Sequence, residues 1–532
     1  MKRAVVSLLA LMFVCLSFAP RSDGQIGSPS VCGETILALT ANGRLIRFST
    51  NLPGVLQSNV AISGLQAGES LVGIDFRPRN RLLYGVSNQN AIYTIDPATG
   101  AATAAGSLST ALTGTVFGFD FNPRADRLRI VSDAGQNLRI DVTAQTNNTT
   151  SDLPLMYASA DVNGGATPRV VGSAYTNSFD GTPATLLYGI DSNLDILVTQ
   201  DPPNNGTLNT IGGLGVNTGD SVAFDISSAS ARAFASLTIA GNSSSGLYSI
   251  NLGTGSATLL GAIGIAQPII GMTVASRPVT VFAVTTDNRL LTFDSLTPGL
   301  LTRTNTIKGL SRGESILGID FRPANGLLYA LSTFAITYTI DTQTGVVSKL
   351  PVSSPLGNAF VGNTAHGFDF NPQVDRIRIV NKFEQNYRLV PTDGSLAGID
   401  LNLGYNVSPG DANLGQNPSI VGSAYSNNFA GTTSTILYGI DSGLNVLVTQ
   451  NPPNNGVLNT VGALKDEATQ ATVDVTDILA FDIFGCDPIG LIAATRPGDT
   501  ASRLYRVNLG TGAVVQIGII GGGGFVSSMA VK

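Results

Sequence analysis

The chain holds no tryptophan, one histidine, three cysteines and five methionines in 532 residues. Each shortage excludes a chemistry. A serine–histidine hydrolase needs a histidine base. The single candidate, His366, matches Phe117 when the two halves of the chain are aligned, which marks it as packing. A zinc centre built on histidines fails for the same reason, and distant cysteines do not replace them. Charge is also scarce, at 12% of residues against about 25% in ordinary globular chains. With 43% hydrophobic residues the chain cannot be disordered, because disorder goes with charge-rich, apolar-poor sequence. The net charge is −6 and no basic stripe is visible, so nucleic acid is excluded as a partner. Lysine and glutamate are sparse while Thr, Ser, Asn, Val and Ile abound. That balance disfavours helices and suits strands.

The N-terminus reads as an export signal over 1–24. Lys2 and Arg3 precede an apolar stretch from Ala4 to Ala19, then a polar segment. Val14 stands before Cys15 where a lipoprotein signal carries Gly or Ala, so no lipid anchor is assigned. No later segment is apolar for long enough to span a bilayer, and the protein is expected to be secreted or periplasmic. Signal removal leaves Cys32 and Cys486, which form one disulfide or remain two separate buried thiols.

What is present is repetition. LVGIDFRPRNRLLYGVSNQNAIYTIDPATG at 71–100 returns as ILGIDFRPANGLLYALSTFAITYTIDTQTG at 316–345. The block 170–212 returns at 420–462. The chain therefore divides into repeat domains at 30–276 and 277–532. Inside each, a unit of four short strands recurs about every 40–50 residues, the period of propeller blades. Strands and hairpin turns alternate, as in LVGIDF, RLLYGVS, AIYTID and AATAAG, with Asp96–Gly100 as one turn. The first unit of each copy has three strands. IIGMTVA (269–275) and FVSSMAVK (525–532) supply the missing innermost one and close the ring without an open edge. The inner strands read GIDF, GFDF, GSAY, AFDI and GMTV, with Gly or Ala where a crowded centre needs it. The expected fold is all-β and propeller-like, as two tandem five-bladed units. One ten-bladed ring is the alternative, because only Ser276-Arg277-Pro278 joins the two copies.

The blocks GIDFRP…LLYGVS…IYTIDPATG and GFDFNPRADRLRIVSDAGQNLRID resemble the bacterial exported family of domain of unknown function 4394, in two tandem copies. The resemblance implies a propeller-like fold and export, and it implies no reaction.

Acidic residues are the candidates for chemistry. Asp75, Asp120 and Asp225 sit at matching places in inner strands, and Asp320, Asp369 and Asp482 repeat them. Glu69 and Glu314 stand just before inner strands. Glu69, Asp75, Asp120, Glu314, Asp320 and Asp369 are the ligand-binding candidates; no residue is assigned as catalytic or as a metal ligand. No cofactor is expected, although calcium, a hard cation that takes oxygen ligands, suits such carboxylates. A structural role is the stronger expectation. Buried aspartates accept backbone N–H groups or pair with arginine, and Arg77, Arg127 and Arg129, repeated as Arg322, Arg376 and Arg378, are close in sequence. Asp191-Ser-Asn193-Leu-Asp195 has calcium-loop spacing, but the second copy reads Asp441-Ser-Gly443-Leu-Asn445. The functional expectation is an exported scaffold for a protein or glycan ligand. The alternative is a carbohydrate-active or lactone hydrolase using Asp and Glu at a ring mouth, with calcium as a potential requirement.

Overall fold

The computed structural model describes residues 33–532 apart from 145–147, 276–278, 352–365, 408–409, 468 and 486–488. The segment 1–24, expected to be an export signal, and both Cys32 and Cys486 lie outside the described residues. Among these residues the regular structure is strand, save for two three-residue 3-10 turns at Pro203–Asn205 and Pro453–Asn455. No helix among them is long and apolar enough to cross a membrane.

Among the described residues ten sheets form, five per copy, antiparallel except for one short parallel strand in blade 4 of each ring. Blade 1 of ring 1 pairs Ile269–Val274 with Thr35–Thr40, followed by Arg44–Ser49 and Leu52–Ala61. Its register places Ile36 opposite Val274 and Leu39 opposite Gly271. Ring 2 closes in the same way, with Val526–Val531 on Thr280–Thr285 and Val281 opposite Val531. Each copy thus joins its own last strand to its own first sheet. Two five-bladed rings result, and the single ten-bladed ring is excluded. Had the chain made one ring, Ile269–Val274 would have paired with Thr280–Thr285 across the short linker.

Residue pattern explains each strand's place. Second strands such as Leu83–Ser87 and Leu328–Ser332 are buried at every residue, because both sheet faces pack on neighbouring blades. Leu37, Leu39 and Leu45 of blade 1 meet Ile74, Leu83 and Tyr93 of blade 2 in one such layer. A fully buried side chain of this kind contributes about 1.5–3 kcal/mol. Outer strands such as Ala102–Ser107 are small or polar and largely exposed. At the Asp96 turn, Asp96 Oδ1 accepts the Ala98 N–H at 2.8 Å and Gly100 adopts φ +77°, open to glycine at little cost. Blade 4 of each ring carries a short extra strand that the sequence pattern does not announce. Met156–Tyr157 runs parallel to Thr207–Gly213, and Gly404–Tyr405 parallel to Val457–Ala463.

The two rings touch through residues that differ between the copies. Arg506 of ring 2 is buried, donating to the Ser228 carbonyl and to Asn177 Oδ1 of ring 1. Its counterpart in copy one is Ser249. Arg81 of ring 1 meets Asp294 of ring 2 at 2.6 Å, where the matching residues are Gly326 and Ser49. Because each ring closes on itself, a fragment of residues 30–276 is expected to unfold cooperatively on its own. Far-ultraviolet circular dichroism and urea titration check this; a gradual, non-sigmoidal transition would contradict self-closure.

Candidate functional site

Each inner strand brings one position to the ring axis. In ring 1 that position is Asp75, Asp120, Ala174, Asp225 and, in the closing strand, Thr273. Ring 2 has Asp320, Asp369, Ala424, Asp482 and Ala530. The three aspartates of each ring are brought together. One carboxylate oxygen from each lies within 4.8 Å of the others in both rings, and all six residues are buried. Three converging oxygens are what a cation would need, and the same crowding costs free energy when the groups ionise without one.

The residue after each aspartate explains its role in packing. Phe121 donates its backbone N–H to Asp75 Oδ2 at 2.8 Å, and Val274 donates to Asp225 Oδ2 at 2.6 Å. In ring 2, Phe370 donates to Asp320 at 2.8 Å, Tyr425 to Asp369 at 3.2 Å and Val531 to Asp482 at 2.7 Å. Every aspartate thus staples its inner strand to that of the next blade. The backbone half of the sequence expectation holds and the arginine half does not. Arg77 pairs with Asp126, Arg127 with Asp141 and Arg129 with Asp152; Arg322 and Arg378 repeat this with Asp375 and Asp400. The arginines sit on strand ends or face the gap between blades, while the aspartates face the axis. Among the described residues no lysine or arginine therefore offsets the carboxylates. Burial, followed by repulsion from Asp225, holds the Asp75 carboxyl well above the usual range. Burial pushes Asp225 and Asp482 up to about 7.

Ring 1 differs from ring 2 around these carboxylates. The Thr273 hydroxyl donates to Asp75 Oδ1 at 2.9 Å, where ring 2 has Ala530. Asp120 accepts the Tyr175 N–H but its Oδ1, though buried, has no hydrogen-bond partner among the described residues. In ring 2 Asp369 and Asp482 hydrogen-bond to one another.

Towards the ring interior the axis is pinched by Gly118, Gly172 and Gly271, leaving about 10 Å³. In the other direction Asp75, Asp225 and Thr273 open into a cavity of about 140 Å³. Arg77, Arg79 and Arg81 wall it on one side, and Leu296 and Thr297 of ring 2 also line it. The mouth is thus built from both copies, which the sequence alone does not reveal.

The other candidates fall elsewhere. Glu69 lies in the loop before Leu71–Phe76, the strand that carries Asp75, and accepts from Tyr93 and from Ser87. The Tyr93 hydroxyl holds its carboxyl below the usual range. Glu314 repeats this with Tyr338 at 3.0 Å. Both are latches between a loop and the third strand of their blade. The calcium-loop spacing at 191–195 is a turn. Asp191 accepts from Tyr157, Arg169, Asn193 and Leu194, and so has no oxygen to spare. His366 is buried at the start of His366–Asn371, in the place of Phe117. A buried network holds Asn137, whose Oδ1 accepts from Arg129 at 2.6 Å, and Asn386 repeats it with Arg378.

No curated protein matches the chain. Among solved structures, one titled "Structure of Dos1 propeller" aligns at 12% identity and a TM-score of 0.25, covering 69% of this chain and 92% of that one. The family described as Domain of unknown function (DUF4394) matches residues 44–273 and again 289–530. The two matches coincide with the two rings, and the chain belongs to that family as a tandem pair.

Proposed function

We propose that the protein is an exported, non-catalytic binding scaffold that presents one polar pocket at the mouth of ring 1 to a small glycan. The observation that carries this reading is the cavity above Asp75, Asp225 and Thr273, walled by three arginines and closed in part by ring 2. Carboxylates, guanidinium groups and a hydroxyl on one wall suit a polyhydroxylated ligand, which donates and accepts at many points. Loops at a ring face carry such function while the sheets hold them still.

The hydrolase reading draws on one observation: Asp75 and Asp225 line a pocket without arginine partners. Geometry weighs against it. Glycosidase carboxyl groups flank the scissile bond at about 5–9.5 Å. Here the oxygens crowd within 4.8 Å and are engaged by neighbouring backbone, leaving no room between them for a sugar.

Thermal unfolding of the mature protein with a panel of mono- and oligosaccharides tests the proposal. A raised midpoint with one glycan class, lost in Ser178→Trp, which fills the pocket, is the expected result. A panel that shifts nothing removes this site from consideration. Turnover of an aryl glycoside or lactone that disappears in Asp75→Asn would establish the hydrolase instead.

A further inference from the structure

Three carboxylates meet on the axis of ring 1, and among the described residues no lysine or arginine is paired to any of them. All three are at most 5% exposed. Ionised together, they would bury three negative charges, a state a folded protein does not sustain unpaired. Either protons or a cation must balance them. Most of their oxygens already take a hydrogen bond. Asp75 receives Phe121 N–H and the Thr273 hydroxyl; Asp225 receives Ile226 N–H at 2.6 Å and Val274 N–H. The exception is Asp120 Oδ1, buried within this cluster and unpartnered. A protonated carboxyl would look for an acceptor there, and an ionised one for a cation.

We propose that Asp75, Asp120 and Asp225 bind one calcium ion on the axis of ring 1. Calcium takes 6–8 oxygens at about 2.3–2.6 Å, so oxygens opposed across it stand about 4.6–5.2 Å apart. The three carboxylate oxygens lie within 4.8 Å of one another, inside the widest separation that one shared ion allows. Magnesium, at about 2.0–2.1 Å, would demand a tighter octahedron. Asp120 Oδ1 supplies a ligand that costs no existing hydrogen bond. The cavity above Asp75 and Asp225 admits the ion and the waters that complete its shell. The ion's place is structural as well: its three ligands come from blades 2, 3 and 5, so it ties together strands that no backbone ladder joins. In ring 2 the Asp369–Asp482 hydrogen bond and Ala530 in place of Thr273 make the equivalent cluster the internal control. This site lies beneath the glycan pocket and does not depend on its occupant.

The test is calorimetric titration of calcium chloride into the full mature chain stripped with chelator, with metal content measured by mass spectrometry after dialysis. Wild type is expected to bind with a Kd below about 1 mM, the range of extracellular calcium modules, and to unfold at higher temperature with calcium than with chelator. Asp120→Asn is expected to lose one equivalent of calcium and the thermal shift, while keeping the wild-type dichroism spectrum. Asp369→Asn is expected to retain that equivalent. No saturable binding to wild type would overturn the proposal. So would binding to Asp120→Asn equal to wild type. Asp225→Asn gives a second reading of the same loss should Asp120→Asn fold poorly.

Discussion

Replacing Arg129 by methionine is expected to lower the stability of the protein by about 3 kcal/mol, the lower end for breaking a buried ion pair. The guanidinium is 1% exposed. It donates to Asp152 and Asn137 at 2.6 Å and to Asn204 at 2.8 Å, with the Tyr175 hydroxyl at 3.4 Å. Methionine fills the volume but leaves the Asn204 amide oxygen without its donor and the Asp152 carboxylate with one arginine instead of two. Arg139 keeps the second bidentate contact to Asp152, which places the effect at the low end of the range. Arg139→Ala is the contrast. Its side chain is one-third exposed, so losing it costs at most about 1 kcal/mol, as for surface pairs. Urea denaturation followed by tyrosine fluorescence separates the two; equal midpoint shifts would show that burial does not decide the matter. Because Arg378 repeats the whole network in ring 2, Arg378→Met should cost about the same.

Ring closure was legible because the sequence of each copy begins one strand short and ends with one to spare. Gly and Ala at the head of each inner strand likewise foretold a tight axis. The repeated Asp-Phe element announced scaffold, and the backbone bonds to Asp75 and Asp320 agree. What the sequence hid is distance through space. Asp75, Asp120 and Asp225 are far apart in the chain, and only the fivefold wrap sets their oxygens within 4.8 Å. Nearness in sequence suggested Arg77 and Arg129 as their partners. Strand geometry sends those side chains away from the axis, to Asp126 and Asp152. A usable signal for the contact between rings was present in the repeat itself. Arg506 against Ser249, Arg81 against Gly326 and Asp294 against Ser49 are departures between otherwise similar copies, and all three lie at that contact. In a duplicated chain, likeness reports the shared fold and difference reports what each copy touches.

Gly118→Ala is expected to destabilise ring 1 by about 3 kcal/mol, the upper part of the range for overpacking. A β-carbon there would lie 2.8 Å from the Ser173 backbone nitrogen and 2.9 Å from the Gly172 carbonyl carbon, both on the neighbouring inner strand. Val131 Cγ2 at 2.8 Å can rotate aside, but two backbone atoms cannot. The strands must separate, and Asp120, two residues along, accepts its N–H from Tyr175, two residues beyond Ser173. One added methyl group therefore loosens an inter-blade staple as well as the packing. Gly213→Ala is the control, since its nearest neighbour would be 4.0 Å away and its backbone is not left-handed. That change should be neutral or stabilise by up to about 1 kcal/mol through the unfolded chain. Thermal unfolding of both variants decides the point. If Gly118→Ala melts with the wild type, the inner strands are not in the close contact that places three carboxylates on one axis.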